Sequence, residues 1–252
     1  MLAIYRRELA AYFNSSLAWV LMAIYLFVLG LIFTGMVNSY SQYSMSAGMN
    51  PFMARSVNVM DDLVVPVQWW MGFLMLFILP LLTMRLIAEE SRSGTLEMLF
   101  TYPLTEWQIV GGKFFAAQTV VATMLAFSSV SVVMLSRLTD IEWKLIGSGY
   151  LGLLLLGAAF TAFGLWASST TSSQMIAAVV SYGGLMASWL IMILDDQITA
   201  VKETFGDLSM MSHVEAMARG NVSTHNIVYY LAWTALFLFL TVRILESRKW
   251  RL

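Results

Sequence analysis

The residues best suited to chemistry lie in one run, Arg85 to Lys113. It carries Arg85, Arg92 and Lys113 together with Glu89, Glu90, Glu97 and Glu106, seven charged residues between two long apolar runs. The chemistry this run supports is recognition. Carboxylates such as those of Glu90 and Glu97, standing outside a bilayer, can accept charge-assisted hydrogen bonds from basic groups or backbone donors of a soluble protein. The plainer alternative is that these acids only solvate a loop. Nothing elsewhere suggests catalysis. There is no cysteine, which removes disulfides, thiolate metal sites and cysteine nucleophiles. The two histidines, His213 and His225, fall outside the apolar runs, so a buried metal centre is not expected. Ser128, Ser129 and Ser131 lie in an apolar run with no histidine at matching depth, and read as packing and interhelical hydrogen bonding. A Gly-x-x-x-x-Gly-Lys-Ser/Thr phosphate loop is absent: Gly111-Gly112-Lys113 lacks the upstream glycine, and Phe114 follows it. The chain is therefore expected to be no enzyme and to hold no cofactor. If ATP powers it, another polypeptide supplies the nucleotide site.

The local pattern of this run predicts a short amphipathic helix from Thr95 to Phe100, with Leu96, Leu99 and Phe100 on one face. Gly94 allows a turn into it without a Cβ penalty, and Pro103 stops it. A second helix is predicted to start near Thr105, with Gln108 completing a capping box. The first helix would lie along a membrane surface with its polar side free. On that reading Glu90, Gly94, Thr95 and Glu97 lie outside the hydrocarbon, and replacing them should leave the fold nearly untouched.

The elements around this run are membrane spans. Of 252 residues 59% are hydrophobic and only 12% charged, against roughly 25% charged in a soluble domain. The expected fold class is all-α: one polytopic membrane domain over 1–252 with six transmembrane helices, an N-terminal interfacial amphipathic helix and a cytoplasmic surface helix between spans two and three, through which a partner would drive the spans. Residues 2–13 form the interfacial helix, with a frayed terminus as the alternative, and no cleavable signal peptide is expected. The spans are placed at about 17–37, 66–84, 114–135, 145–167, 175–194 and 227–242. Residues 38–65 read as a loop, 85–113 as the coupling segment, and 195–226 as an outer loop. In that outer loop Ser212 to Glu215 looks like a capping box, and Gly220 could end the helix it starts. Pro80 should kink the second span, either as a point where motion enters or as a static bend. Ala158 and Ala162 suit close helix packing.

Orientation follows the basic residues. With both termini cytoplasmic, the inner side holds Arg6, Arg7, Arg85, Arg92, Lys113, Arg243, Arg248, Lys249 and Arg251, nine in all. The outer side holds Arg55, Arg137, Lys144, Lys202 and Arg219, five in all. The positive-inside rule favours this arrangement. No acid or base is expected well inside a span, which argues against a proton-coupled carrier. A membrane scaffold that anchors a soluble partner stays open. Lipid is the surrounding medium, and nothing points to nucleic acid.

The run also carries a resemblance. Met84-Arg85-Leu86, Ala88-Glu89-Glu90, Ser93-Gly94-Thr95-Leu96-Glu97, Pro103-Leu104 and Gly112-Lys113 resemble permease subunits of type 2 ABC exporters, the ABC-2 class. Ser212-His213, Ala218-Arg219-Gly220, Tyr229-Tyr230-Leu231 and Leu245 to Trp250 look like the gliding-motility and copper-enzyme-maturation branch of that class. The resemblance implies a subunit of an ATP-driven exporter in the bacterial inner membrane. It implies two cytoplasmic ABC ATPase subunits that bind ATP and Mg, and a second permease subunit, identical or related. It also implies that Glu89, Glu90, Gly94, Thr95, Glu97 and Pro103 form the ATPase-coupling site. The expected loop at 38–65 leaves no room for a large extracellular domain.

Overall fold

A computed structural model describes residues 1–48, 57–95, 104–197 and 209–249, with side chains described through 190 in the third of these segments. Among the described residues there is helix and no strand. In chain order the helices are α1 (Leu2–Phe13), α2 (Ser16–Gly48), α3 (Val65–Thr83), α4 (Ala88–Ser93), α5 (Glu106–Leu135), α6 (Trp143–Thr170), α7 (Gln174–Gln197), α8 (Met210–Ala218) and α9 (Thr224–Lys249). A π-helical turn, Met60–Val64, leads into α3. The stretches containing α2, α3, α5, α6 and α9 are each long and apolar enough to cross a membrane, and in α7 a shorter apolar run covers Gln174–Leu190. The chain is a multi-pass membrane protein.

α6 is the centre of the bundle, packed against α3, α5, α7, α8 and α9. Its most apolar window is 72% buried within the chain, against 22% for α2 and for α9. Close packing here needs small residues, because lipid supplies no hydrophobic drive between helices. Gly164 shows the requirement. A Cβ at that position would stand 2.1 Å from Thr83 Oγ1 on α3 and 2.8 Å from its Cβ. Ala162, one of the expected small pair, is fully buried, and Ala158 is partly buried against the same core.

Two sequence expectations change. Residues 38–48 are not loop: α2 runs on to Gly48, 33 residues in all. At about 1.5 Å per residue that is roughly 50 Å, well beyond the hydrocarbon thickness. Hydropathy marks where a helix leaves the bilayer, whereas helix ends need a backbone break, and 38–47 contains no proline or glycine. Ser39 and Ser46 donate their hydroxyls to the Gly35 and Tyr43 carbonyls within the helix. Helix also resumes before the second expected span, at the π-helical turn.

The second change is in the outer segment. α8 starts at Met210 with Ser209 as its N-cap, so Ser212 lies inside the helix and donates to the Ser209 carbonyl; it caps nothing. Burial of Met210, Met211, Val214 and Met217 against the core positions this helix and overrides the local capping pattern. Gly220, at φ 85°, lies just past its end in the left-handed region. Within the segment 85–113 the second predicted helix start is found where expected. The segment's last eight residues, 106–113, are the start of α5, and Thr105 and Gln108 form the expected capping box (3.4 and 3.3 Å).

Candidate functional site

α4 is the described core of the site. Glu89 and Glu90 stand in its first turn and Arg92 in its last, both favourable against the helix dipole. Gly94 closes it at φ 72°, and a Cβ there would meet nothing within 4 Å. The left-handed backbone, not crowding, therefore calls for glycine at that position. Ser93 Oγ donates to the Glu89 carbonyl at 2.9 Å and contacts Thr95 Oγ1 at 2.9 Å. Glu89, Gly94 and Thr95 are exposed. Glu97, Pro103 and the predicted helix over Thr95–Phe100 lie outside the described residues, apart from Thr95.

Glu90 has a different situation. Its Oε1 is 2.9 Å from Lys113 Nζ of α5 and 2.7 Å from Arg7 Nη2 of α1. Glu8 Oε1, also on α1, is 3.1 Å from the same lysine and 2.7 Å from the same arginine. The Lys113 side chain is 1% exposed. One buried ammonium and two carboxylates thus tie together helices that are far apart in sequence. Burial opposes ionisation of Glu8, but Lys113 and Arg7 outweigh it and hold the carboxyl below its ordinary range. Burial likewise opposes the charge on Arg7, and the two glutamates hold its pKa above the ordinary value. Glu90 Oε2 is buried with no hydrogen-bond partner. A cavity of about 440 Å³ opens beside the cluster, lined also by Arg85, Glu89, Ser93 and Thr95.

This cluster changes the expectation for Glu90. Its carboxylate is engaged inside the chain, so replacing it strips a partner from a buried cation and disturbs the fold. Lys113 was legible as a charge at the edge of an apolar run. Arg7 and Glu8 were legible as the polar side of α1. No local pattern joins positions 8 and 113.

The far end of the chain meets the same region. Lys249 of α9 pairs with Glu106 at 2.7 Å. Arg248 donates to Ser91 Oγ at 2.7 Å and to the Ser169 carbonyl at 2.9 Å. The residues around α4 are therefore held by α1, α5, α6 and α9 together.

At the opposite end of the bundle His213 is buried, contrary to its place outside the apolar runs. Asn226 Nδ2 donates to the Asn221 carbonyl at 3.1 Å. Asn226 Oδ1 is thereby the acceptor at 2.9 Å, and His213 Nδ1 carries the proton. The imidazole packs on Tyr229 with ring centroids 4.3 Å apart. Among the described residues no group of three or more His, Cys, Asp or Glu is arranged to hold a metal ion.

Comparison with known proteins agrees with this architecture. The sequence profile of the family described as ABC-2 family transporter protein matches residues 2–250. A probable ABC transporter permease protein, NosY of Pseudomonas aeruginosa, is 32% identical over 128 residues. That stretch is 48% of this chain and 45% of the relative, so the chain spans under half the length of the curated relative it matches.

Proposed function

The chain belongs to the ABC-2 family of transporter proteins, and from that premise we propose that it is the membrane-spanning permease subunit of an ATP-driven exporter, coupled through residues 85–113 to a separate ATPase. In this reading six helices cross the bacterial inner membrane, both termini are cytoplasmic, and two permease subunits, identical or related, pair with two ATPase subunits that bind ATP and Mg. Glu89, Gly94, Thr95, Glu97 and Pro103 form the face presented to the ATPase. Glu90 acts from behind that face by fixing α4 to α1 and α5.

One observation carries the coupling part. The short polar helix α4 emerges directly below α3 and is held by ion pairs to α1 and α5, with Glu89 and Thr95 left exposed. A segment pushed by a soluble partner must combine an accessible polar face with a stiff attachment to the spans. Loss of one charge-assisted contact at a docking surface costs about 1.5–3 kcal/mol, roughly ten- to a hundredfold in affinity.

The test uses the full chain with its co-purifying ATPase in nanodiscs. Glu97→Lys is expected to weaken ATPase association by that factor or to uncouple hydrolysis, with thermal stability near wild type. Ser172→Ala, in the turn after α6, is expected to be silent. Full association and coupling in Glu97→Lys would turn the reading toward a membrane scaffold.

A further inference from the structure

Between α3 and α4 the chain makes an elbow at residues 84–87, where regular helix is broken. Such a break leaves backbone N–H and C=O groups in need of partners. Three of them are taken up by one side chain from another helix. Ser168 of α6, fully buried, accepts from the Ile87 N–H at 3.1 Å and the Ala88 N–H at 3.0 Å, and donates to the Met84 carbonyl at 2.9 Å. A hydroxyl has one proton and two lone pairs, so the elbow uses all that Ser168 has. One turn earlier on the same face of α6, Gly164 leaves the space that Thr83 occupies.

The elbow is held on its other side by the N-terminal segment. Tyr12, whose phenol is kept neutral by burial, donates its hydroxyl to the Leu82 carbonyl at 3.0 Å. Arg85 donates to Ser15 Oγ at 3.1 Å, and its guanidinium lies 5.2 Å from the Tyr12 ring centroid. A flexible hinge would have exposed, exchangeable backbone groups. Here they are buried and satisfied from two sides.

We infer that the elbow is a rigid joint with Ser168 as its positioning residue, so that displacement of α4 passes into α6 and is not absorbed between α3 and α4. This rests on the reading of 85–113 as the drive contact. It goes further by naming the route: α6 touches most of the other helices of the bundle, and movement delivered there reaches them together. An alanine at 168 would preserve the volume but leave two buried donors and one buried acceptor without a partner.

The test compares wild type with Ser168→Ala, and with Tyr12→Phe as a second variant that removes only the opposing hydrogen bond. All are full-length, in nanodiscs with the ATPase. Hydrogen exchange at the Ile87 and Ala88 amides is expected to quicken about three- to tenfold in Ser168→Ala, with α8 unchanged. The chain contains no native cysteine, so spin labels can report the joint through Arg92→Cys and Ser172→Cys. In wild type the distance between these labels is expected to be narrow and equal in ADP and in ATP with vanadate, while the distance from Arg92→Cys to Val222→Cys changes with nucleotide. In Ser168→Ala the first distance is expected to broaden or to become nucleotide-dependent, and in Tyr12→Phe to do so less. If both variants keep the narrow wild-type distance in both states, the joint does not depend on these residues and the inference falls. If the wild-type distance to position 222 ignores nucleotide, the drive reading fails and takes this inference with it.

Discussion

The two ends of the bundle are held by different physics. At the end bearing α4, the attachments are charged and join distant parts of the chain: Lys113 to Glu8 and Glu90, Lys249 to Glu106, Arg248 to Ser91. At the end bearing α8 the attachments are mostly neutral and packed. Met210, Met211, Val214 and Met217 are buried, Tyr230 donates its hydroxyl to the Met210 carbonyl, and His213 bonds Asn226. A charged attachment reaches beyond contact distance, so it keeps distant helices tied when the α4 end is displaced as a unit. A close-packed neutral cluster holds only at contact, where displacing a side chain opens a void that nothing fills. The difference suits an end that receives movement and an end that keeps its shape.

The largest expected effect breaks the charged end. Removing both acids with Glu8→Ala and Glu90→Ala leaves Lys113 buried and unpaired, and should destabilise the fold by about 3–5 kcal/mol. Adding Lys113→Met should recover most of that loss. Thermal unfolding in detergent measures both. If the double variant melts like wild type, the charges do not hold this end.

Acid should separate the two ends by a smaller amount. The Glu8 carboxyl is held below its ordinary value in the folded chain. Its contribution is therefore complete above the ordinary glutamate range and is lost as pH falls through the lowered folded value. Hydrogen exchange should accordingly show α1 opening on acidification below the ordinary range, before α8 does. Simultaneous loss of protection in both helices would remove the distinction.

The smallest effect is expected at the neutral end, from the ion pairs it does carry. Arg219 meets Glu215 at 2.9 Å and Asp61 at 3.3 Å, but its side chain is 52% exposed. Arg219→Ala should therefore cost under about 1 kcal/mol, with little dependence on salt in the melting temperature. A loss comparable to that of the Glu8 and Glu90 double variant would make both ends electrostatic, and the contrast would disappear.

Sequence alone determined what periodicity and composition can carry. The membrane class, the long apolar helices, the capping box at Thr105, the left-handed glycines at 94 and 220 and the ABC-2 resemblance were all legible, because each depends on a residue's own preference or on neighbours within a turn. The length of α2 was misread because polarity ends a bilayer passage but does not end a helix. The start of α8 was misplaced by three residues because core burial of its methionines outweighs a local cap. Only the tertiary structure decided that Glu90 faces inward to Lys113, that His213 is buried against Asn226, and that Ser168 completes a break more than eighty residues earlier in the chain. Those pairings depend on which helix faces which, and a buried charge or hydroxyl takes whichever partner the packed bundle brings within about 3 Å.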